Sequence, residues 1–272
     1  MGTYVNVSSV RKTVGILSSE ISDTDVELII TECEPQVERY FNTVFTPKEI
    51  IEVREGNDTS RMILRNNPVM AVRELKINNS TEDPAHLDIS KGSGKIVLNS
   101  SATASKFTKS SYKIIIKYVY GFLEESSTKT TLSTASTAGS SVVLSVADST
   151  NFTVKDWVEI IGMDGYQESA KVTAKDTGEI TVDKLVYTHE VSSIITKLQV
   201  SEIFKKVMNL ACSIAMVARI IGQSYTDTVG YGLGELHVQK GEPYTQWRET
   251  ASQMIKERDD LLSRIKPRPC IM

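Results

Sequence analysis

The chain has 272 residues, enough for one large domain or two smaller ones with separate hydrophobic cores, and we expect two. Hydrophobic residues make up 40% of it and charged residues 24%, and the net charge of −3 creates no field that attracts nucleic acid or an anionic membrane. Binding of DNA by bulk charge is therefore disfavoured. The three cysteines lie far apart in the sequence, so neither a disulfide framework nor a zinc cluster is expected.

A polar leader, MGTYVNVSSVRKTVG, precedes the first predicted helix and lacks the apolar core of a signal peptide, so no membrane targeting is expected. Ser22 has the chemistry of an N-cap, and apolar residues recur with a helical period from Val26 to Val44. Pro35 is expected to kink this helix. Its solvent-exposed face is predicted to carry Glu27, Glu34 and Glu38.

Short antiparallel strands are predicted after Pro47. The segments KEIIEVREG, RMILR and VMAVRELKIN are separated by turn residues, and weaker strand signals follow near residues 87–89 and 95–98. The clearest alternation of apolar and polar residues is in 112–120, which predicts a strand with one face in the core. The whole stretch predicts a β-meander.

A change in composition to Ser and Thr between Glu124 and Thr134 predicts a domain junction. Closely spaced strand signals follow as far as residue 196, separated by turns such as Asp164-Gly165, and they are typical of a small β-barrel or sandwich. We expect this module to be an insertion whose ends lie close together.

The most apolar segment, residues 200–221, has apolar side chains around nearly the whole helical wheel. A membrane span is the alternative, but the uncharged run between Lys206 and Arg219 is only about 12 residues, shorter than a span requires. The segment therefore predicts a buried core helix that ends at Ile221, with Gly222 as its C-terminal cap. After a Gly- and Thr-rich loop, Pro243 opens a last amphipathic helix that runs to about Ile265.

No recognisable catalytic or ligand-binding motif emerges. The run Gly230-Tyr231-Gly232-Leu233-Gly234 has Glu235 where a dinucleotide fingerprint needs a third glycine, so a loop is the preferred interpretation. Gly92-Ser93-Gly94-Lys95 lacks the first glycine of a phosphate loop and predicts a hairpin turn. The three histidines fall in different segments, without a second ligand at metal spacing. We predict no metal, no cofactor and no enzymatic activity.

The order of these elements resembles the head-tail adaptor, or connector (head completion), proteins of tailed bacteriophages, over about residues 17–125 and 199–266. The most specific features are the leucine, proline and valine of Leu64 to Val69, and the aromatic-glycine pair Tyr120-Gly121. The resemblance implies a non-enzymatic ring, usually of twelve copies, that sits under the portal in the neck of the virion. Such a ring extends the DNA channel without sequence-specific DNA binding or membrane contact.

The resemblance also implies partners and contact residues. The expected partners are the portal protein, a tail-side neck protein (a tail terminator or stopper) and further copies of the chain, which is made in the host cytoplasm. The C-terminal segment is expected to dock on the portal, and its candidates are Lys266, Pro267, Arg268, Pro269, Ile271 and Met272. Ring or tail contacts are assigned to a loop with Tyr225, Tyr231, Leu233 and Glu235. Another phage structural protein, such as a tail-completion or baseplate component, and an unrelated enzyme are the alternatives.

The predicted fold class is α+β, with a helical core of three main helices, an antiparallel β-meander and an inserted small all-β barrel or sandwich. The predicted domains are the N-terminal part of the adaptor core at 1–127, the inserted β domain at 128–198, and the C-terminal helices and tail at 199–272.

Overall fold

The computed structural model of the protein describes residues 4–41, 43–109, 113–226 and 242–264, with only the backbone for 221–226, 242–248 and 264. The chain divides into two compact units, residues 1–42 with 201–272, and residues 43–200. The described residues form helices in the first unit and antiparallel sheets in the second. The predicted α+β class is therefore confirmed.

The helical unit contains four helices in its described part, one more than the sequence predicted. They are α1 (Val7–Val14), α2 (Asp23–Phe41), α3 (Glu202–Thr226) and α4 (Glu242–Arg264). Helix α3 contacts each of the other three, which explains why its sequence is apolar around most of the wheel. Its fully buried side chains are Phe204, Val207, Met208, Leu210, Cys212, Ser213, Met216 and Val217.

Helix α1 lies in the segment that was predicted to be a polar leader, and capping residues define its two ends. The Asn6 side chain accepts a hydrogen bond from the Ser9 backbone N–H at 2.8 Å, the Ser9 hydroxyl accepts one from the Asn6 N–H, and Gly15 ends the helix at a φ of 77°. Only Val10 is buried, so the apolar pattern is too weak to stand out in the sequence.

Three details of the predicted helices are wrong. Glu34 is buried rather than exposed, and its carboxylate accepts the Tyr4 backbone N–H at 2.8 Å. Ile203 is exposed although it matches the apolar period of α3. Helix α3 continues past Gly222 to Thr226, because a glycine inside a helix costs only about 1 kcal/mol relative to alanine and does not by itself end it.

The first half of the second unit contains a four-stranded and a three-stranded antiparallel sheet. Its strands are β1 (Lys48–Arg54), β2 (Arg61–Ile63), β3 (Val69–Ile77), β4 (Ser80–Glu82), β5 (Leu87–Ser90), β6 (Lys95–Leu98) and β7 (Ile114–Tyr120), with a 3₁₀ turn at Pro84–His86. The sheet orders are β1-β7-β3-β4 and β2-β6-β5. Alternate residues of β3 and β7 meet residues of β2, β5 and β6 in one core that includes Leu64, Leu75, Phe107 and Ile116. The predicted strands are thus present, and Gly92-Ser93-Gly94 is the turn between β5 and β6 as predicted. The predicted meander is wrong, because β1 pairs with β7 and β2 pairs with β6 rather than with the next strand along the chain.

Residues 124–199 form a separate six-stranded antiparallel sheet. Its strands are β8 (Glu124–Thr131), β9 (Gly139–Ser145), β10 (Trp157–Ile161), β11 (Gln167–Asp176), β12 (Glu179–Leu185) and β13 (Ile194–Gln199), in the order β8-β13-β10-β11-β12-β9. A bridge between Leu132 and Val146 joins the residues that follow the two edge strands. Glu124 lies opposite Gln199, so the first and last residues of the segment are adjacent.

Strand β8 corrects the prediction of a linker at Glu124–Thr134. Ser126 and Thr130 are buried on one face of β8, while their neighbours are exposed. Small polar residues occupy the inward positions, so the strand carries no alternation of apolar and polar side chains for a sequence pattern to detect.

The two parts of this unit are joined by a small apolar cluster and by polar contacts. Met70, Val119 and Leu198 are buried together, with Trp157 packed against them. The buried Arg73 guanidinium lies 2.7 Å from the Asp183 carboxylate. Lys184 Nζ donates to the Arg73 carbonyl oxygen at 2.6 Å, and Lys91 pairs with Glu159.

Candidate functional site

Nearly all of the contact residues predicted from the sequence lie outside the described residues. This holds for the portal-docking candidates Lys266, Pro267, Arg268, Pro269, Ile271 and Met272, and for the loop candidates Tyr231, Leu233 and Glu235. Tyr225 belongs to α3 rather than to a loop, and only its backbone is described. Their contact roles therefore stay predictions, and the described residues offer three other features.

The two most specific sequence signals meet in the four-stranded sheet. Val69 lies opposite Tyr120 in the β3–β7 pair, and the Gly121 N–H donates to the Pro68 carbonyl oxygen at 3.0 Å. Gly121 has a φ of 153°, and a Cβ atom at this position would lie 3.0 Å from the Cα of Pro47. Glycine is therefore required there by both backbone conformation and close packing.

A buried carboxylate next to this junction ties β1 to β7. The Tyr118 hydroxyl donates to Glu52 Oε2 at 2.7 Å and accepts the backbone N–H of Asn66 at 3.2 Å. Arg54 Nε lies 3.3 Å from Glu52 Oε1, and Arg65 Nε lies 3.6 Å from it, so the buried charge is compensated. Burial, followed by the hydrogen bond to Glu52, raises the pKa of Tyr118 to about 12.

The second feature is an exposed apolar surface formed by Ile51 and Val53 of β1, the end strand of the four-stranded sheet, and by Ile63 of β2, and we call these three residues the edge surface. Their exposed fractions are 61%, 42% and 55%. Ile51 and Val53 point to the same face of β1 because they are two residues apart. Among the described strands β1 pairs only with β7, and the Arg54 side chain bonds the Ile63 carbonyl, which links β1 to β2. An apolar sheet edge of this kind is suited to protein contacts.

The third feature is a cleft of about 400 Å³ between β3 and β5 on one side and the β10–β11 turn and the residues after β12 on the other. We call it the aromatic cleft. Its lining includes Met70, Leu87, Asp88, Lys91, Tyr166 and Tyr187. The rings of Tyr166 and Tyr187 are stacked, with 4.7 Å between centroids and 17° between planes. The Tyr187 hydroxyl donates to the Leu87 carbonyl oxygen at 3.3 Å, which ties the two walls together.

A buried acid–histidine pair supports the floor of the aromatic cleft. The Glu168 carboxylate accepts the backbone N–H groups of Val186 at 2.7 Å and of Tyr187 at 3.0 Å, and it lies 2.8 Å from His189 Nε2. Since the carboxylate is an acceptor, Nε2 is assigned the proton. The pair fixes the residues after β12 and thereby the position of the Tyr187 ring. Burial first, and then the negative charge of Glu168, raise the pKa of Tyr187 to about 12.

Two of the three histidines contact carboxylates. His189 is fully buried against Glu168, and His86 Nδ1 lies 2.7 Å from Glu82 Oε1. His237 lies outside the described residues. Within the described ranges, no group of three or more His, Cys, Asp or Glu side chains could hold a metal ion. No helix in the described part of the chain is both long and apolar enough to cross a membrane.

The sequence did not indicate the aromatic cleft. Tyr166 follows the Asp164-Gly165 turn, and Tyr187 follows β12, so each reads as an ordinary loop residue. Their stacking depends on the pairing of β10, β11 and β12, which a linear pattern does not contain. The edge surface could have been suspected from Ile51 and Val53, but the sequence does not tell which face of β1 is covered.

A comparison with protein families gives a match to slightly less than half of the chain. The family described as Head completion protein has a model that matches residues 4–132. The match includes α1, α2, strands β1 to β8, both motif segments and the edge surface. No curated protein matches the chain.

Proposed function

We propose that this protein is a non-enzymatic structural component of a tailed-phage virion at the junction of head and tail, because the family model described as Head completion protein matches residues 4–132. The observation that carries the proposal is the family match over the segment in which Leu64–Val69 and Tyr120-Gly121 form one hydrogen-bonded junction. The two parts of the family resemblance thus belong to a single structural feature.

The protein acts as a ring, with twelve copies as the expected number, between the portal protein and a tail-side neck protein. The edge surface supports this assembly, since it presents exposed apolar side chains on and beside β1, the end strand of the four-stranded sheet. A closed ring requires a heterologous interface, in which one surface of each copy contacts a different surface of the next. Burying an isoleucine of this kind contributes about 1 to 2 kcal/mol, since roughly half of its side chain is already covered.

The ring extends the channel through which DNA passes, without reading its sequence. The net charge of −3 supports this, because a protein that holds DNA through its phosphates needs an excess of Lys and Arg. The tail residues Lys266 to Met272 dock on the portal. The loop with Tyr231, Leu233 and Glu235, together with Tyr225, provides further ring or tail contacts. Truncation after Ile265 is expected to abolish portal attachment and to leave the thermal transition nearly unchanged, and retained attachment would exclude the docking role.

Residues 128–198 are an inserted β domain, folded as a small barrel and carried on the outer side of the ring. The pairing of Glu124 with Gln199 supports an insertion, because it brings the two ends of the segment together. The separate core of the six-stranded sheet also supports it. Replacement of residues 124–199 by a short linker is expected to leave the core of the four-stranded and three-stranded sheets folded.

The test of ring formation compares two charge substitutions on exposed strands. Ile51→Asp is expected to weaken self-association at least about a hundredfold, since it places a charge in an apolar interface and loses roughly 3 kcal/mol. The control Val143→Asp changes a residue on β9 that is 53% exposed, which is comparable with Ile51, and it is expected to leave self-association unchanged.

Analytical ultracentrifugation and electron microscopy of the purified protein measure the outcome, together with a reconstruction of the virion neck. A protein that stays monomeric at high concentration and also occupies no symmetric ring between head and tail contradicts the proposal. A ring found in the baseplate would assign the protein to that structure instead.

A further inference from the structure

We propose that the aromatic cleft binds an extended, arginine-bearing segment of a partner protein. This inference goes beyond the proposed function, because it gives the chemistry of a contact on a surface that ring assembly through the edge surface does not use. It depends only on residues of the second unit.

The aromatic side of the cleft provides a flat surface for a cation. Tyr166 is 51% exposed although its ring is stacked on Tyr187, so one ring face is covered and the other remains open. The stacked pair is held in place because Tyr187 bonds Leu87 and its backbone N–H bonds Glu168. A guanidinium group stacks well on such a face, because it is planar and only weakly hydrated.

The charges around the cleft favour a cation over an anion. Asp88 lines the cleft and is exposed, and its carboxylate has no ion-pair or hydrogen-bond partner among the described residues. Lys91 is the positive group of the lining, and its charge is balanced by Glu159. Glu168 adds negative charge beneath the floor. The excess of carboxylates disfavours the phosphate groups of nucleic acids and nucleotides and favours a positively charged side chain.

One side chain can contact both the Tyr166 ring and the Asp88 carboxylate only if it is long, planar and cationic. An arginine meets these needs, because it can stack on the Tyr166 ring and direct N–H groups toward Asp88. The volume of about 400 Å³ accommodates a few residues of an extended chain rather than a folded domain. The strand β3 forms one wall, so an extended backbone can follow it.

The probe for this proposal is the peptide acetyl-Gly-Pro-Arg-Pro-Gly-amide, in which the prolines favour an extended backbone. Its matched control replaces arginine with citrulline, which keeps the shape and removes the charge. We expect the full chain to bind the arginine peptide at least about tenfold more tightly than the citrulline peptide, measured by ligand-observed NMR. Raising the salt concentration should weaken the binding of the arginine peptide.

Two substitutions in the cleft and two elsewhere locate the binding. Asp88→Asn and Tyr166→Leu are each expected to weaken arginine-peptide binding about fivefold or more, and both positions are exposed, so the fold should be retained. Glu179→Gln and Tyr40→Leu change an exposed carboxylate and an exposed tyrosine outside the cleft and should leave binding unchanged.

Equal affinity for the two peptides, unchanged affinity in both cleft variants, or no binding would each overturn the proposal. The chain itself carries Pro267-Arg268-Pro269, so a second copy is the competing occupant. If the arginine peptide binds only after residues beyond 265 are removed, the occupant is the chain's own terminus and a separate partner is excluded. None of these outcomes depends on ring formation, which the Ile51→Asp experiment tests separately.

Discussion

Replacing Tyr118 with phenylalanine removes one buried hydroxyl and keeps the aromatic ring in the core. Tyr118 is fully buried, and its hydroxyl donates to Glu52 Oε2 at 2.7 Å while it accepts the Asn66 N–H at 3.2 Å. The substitution therefore leaves a buried carboxylate oxygen and a backbone donor without this shared partner. The substitution tests whether the hydrogen-bond network of Tyr118, Glu52 and Asn66 stabilises the sheet, or whether only the aromatic ring contributes by filling space.

The expected loss follows from the type of bond that is removed. A hydrogen bond to a charged group contributes about 1.5 to 3 kcal/mol. After the substitution, Glu52 Oε2 keeps one hydrogen bond, from the Arg65 backbone N–H at 3.2 Å. We expect Tyr118→Phe to lower the free energy of unfolding of the second unit by about 2 to 3 kcal/mol. For a unit of this size the melting temperature should fall by roughly 4 to 12 °C.

Urea unfolding at neutral pH, followed by circular dichroism, measures the free energy, and hydrogen exchange of the β1 and β7 amides gives a local measure of opening. Tyr120→Phe is the matched control, because the hydroxyl of Tyr120 has no hydrogen-bond partner in the described part of the chain, and it should lose less than about 0.5 kcal/mol. If the Tyr118 and Tyr120 variants lose the same free energy, or if β1 exchanges no faster, the network does not stabilise the sheet.

Two further outcomes are expected from the same unit. Gly121→Ala should lower the free energy of unfolding by about 1 to 3 kcal/mol because of its φ of 153° and its contact with Pro47, whereas Gly139→Ala, which has room for a methyl group, should be nearly neutral in the same urea assay. The pKa values of Tyr118 and Tyr187 are raised to about 12, so the folded state holds these protons more tightly than the unfolded state, and the stability they contribute is present below about pH 10 and lost as pH rises toward 12. Unfolding free energies measured across that range should fall less steeply in the double phenylalanine variant, and an unchanged slope would contradict the assignment.

The sequence determined the elements whose signals are local and repeated. The alternation in 112–120 predicted β7, and the apolar helical wheel of residues 200–221 predicted a central helix, because each residue's environment in these elements follows directly from strand or helix periodicity. The motif at Leu64–Val69 and the pair Tyr120-Gly121 also carried the family resemblance. A glycine that the backbone requires and a specific turn can both be recognised from the identities of the residues alone.

Tertiary structure alone decided the features that depend on which segments become neighbours. β8 is a strand because its Ser and Thr residues pair with β13, and Glu34 is buried because Tyr4, thirty residues earlier, donates to it. The aromatic cleft requires Tyr166, Tyr187 and Leu87 to meet, although Leu87 is about a hundred residues from Tyr187 in the sequence. A polar side chain can be buried when a partner that is distant in the sequence satisfies its hydrogen bonds, and a periodic pattern in the sequence does not identify that partner.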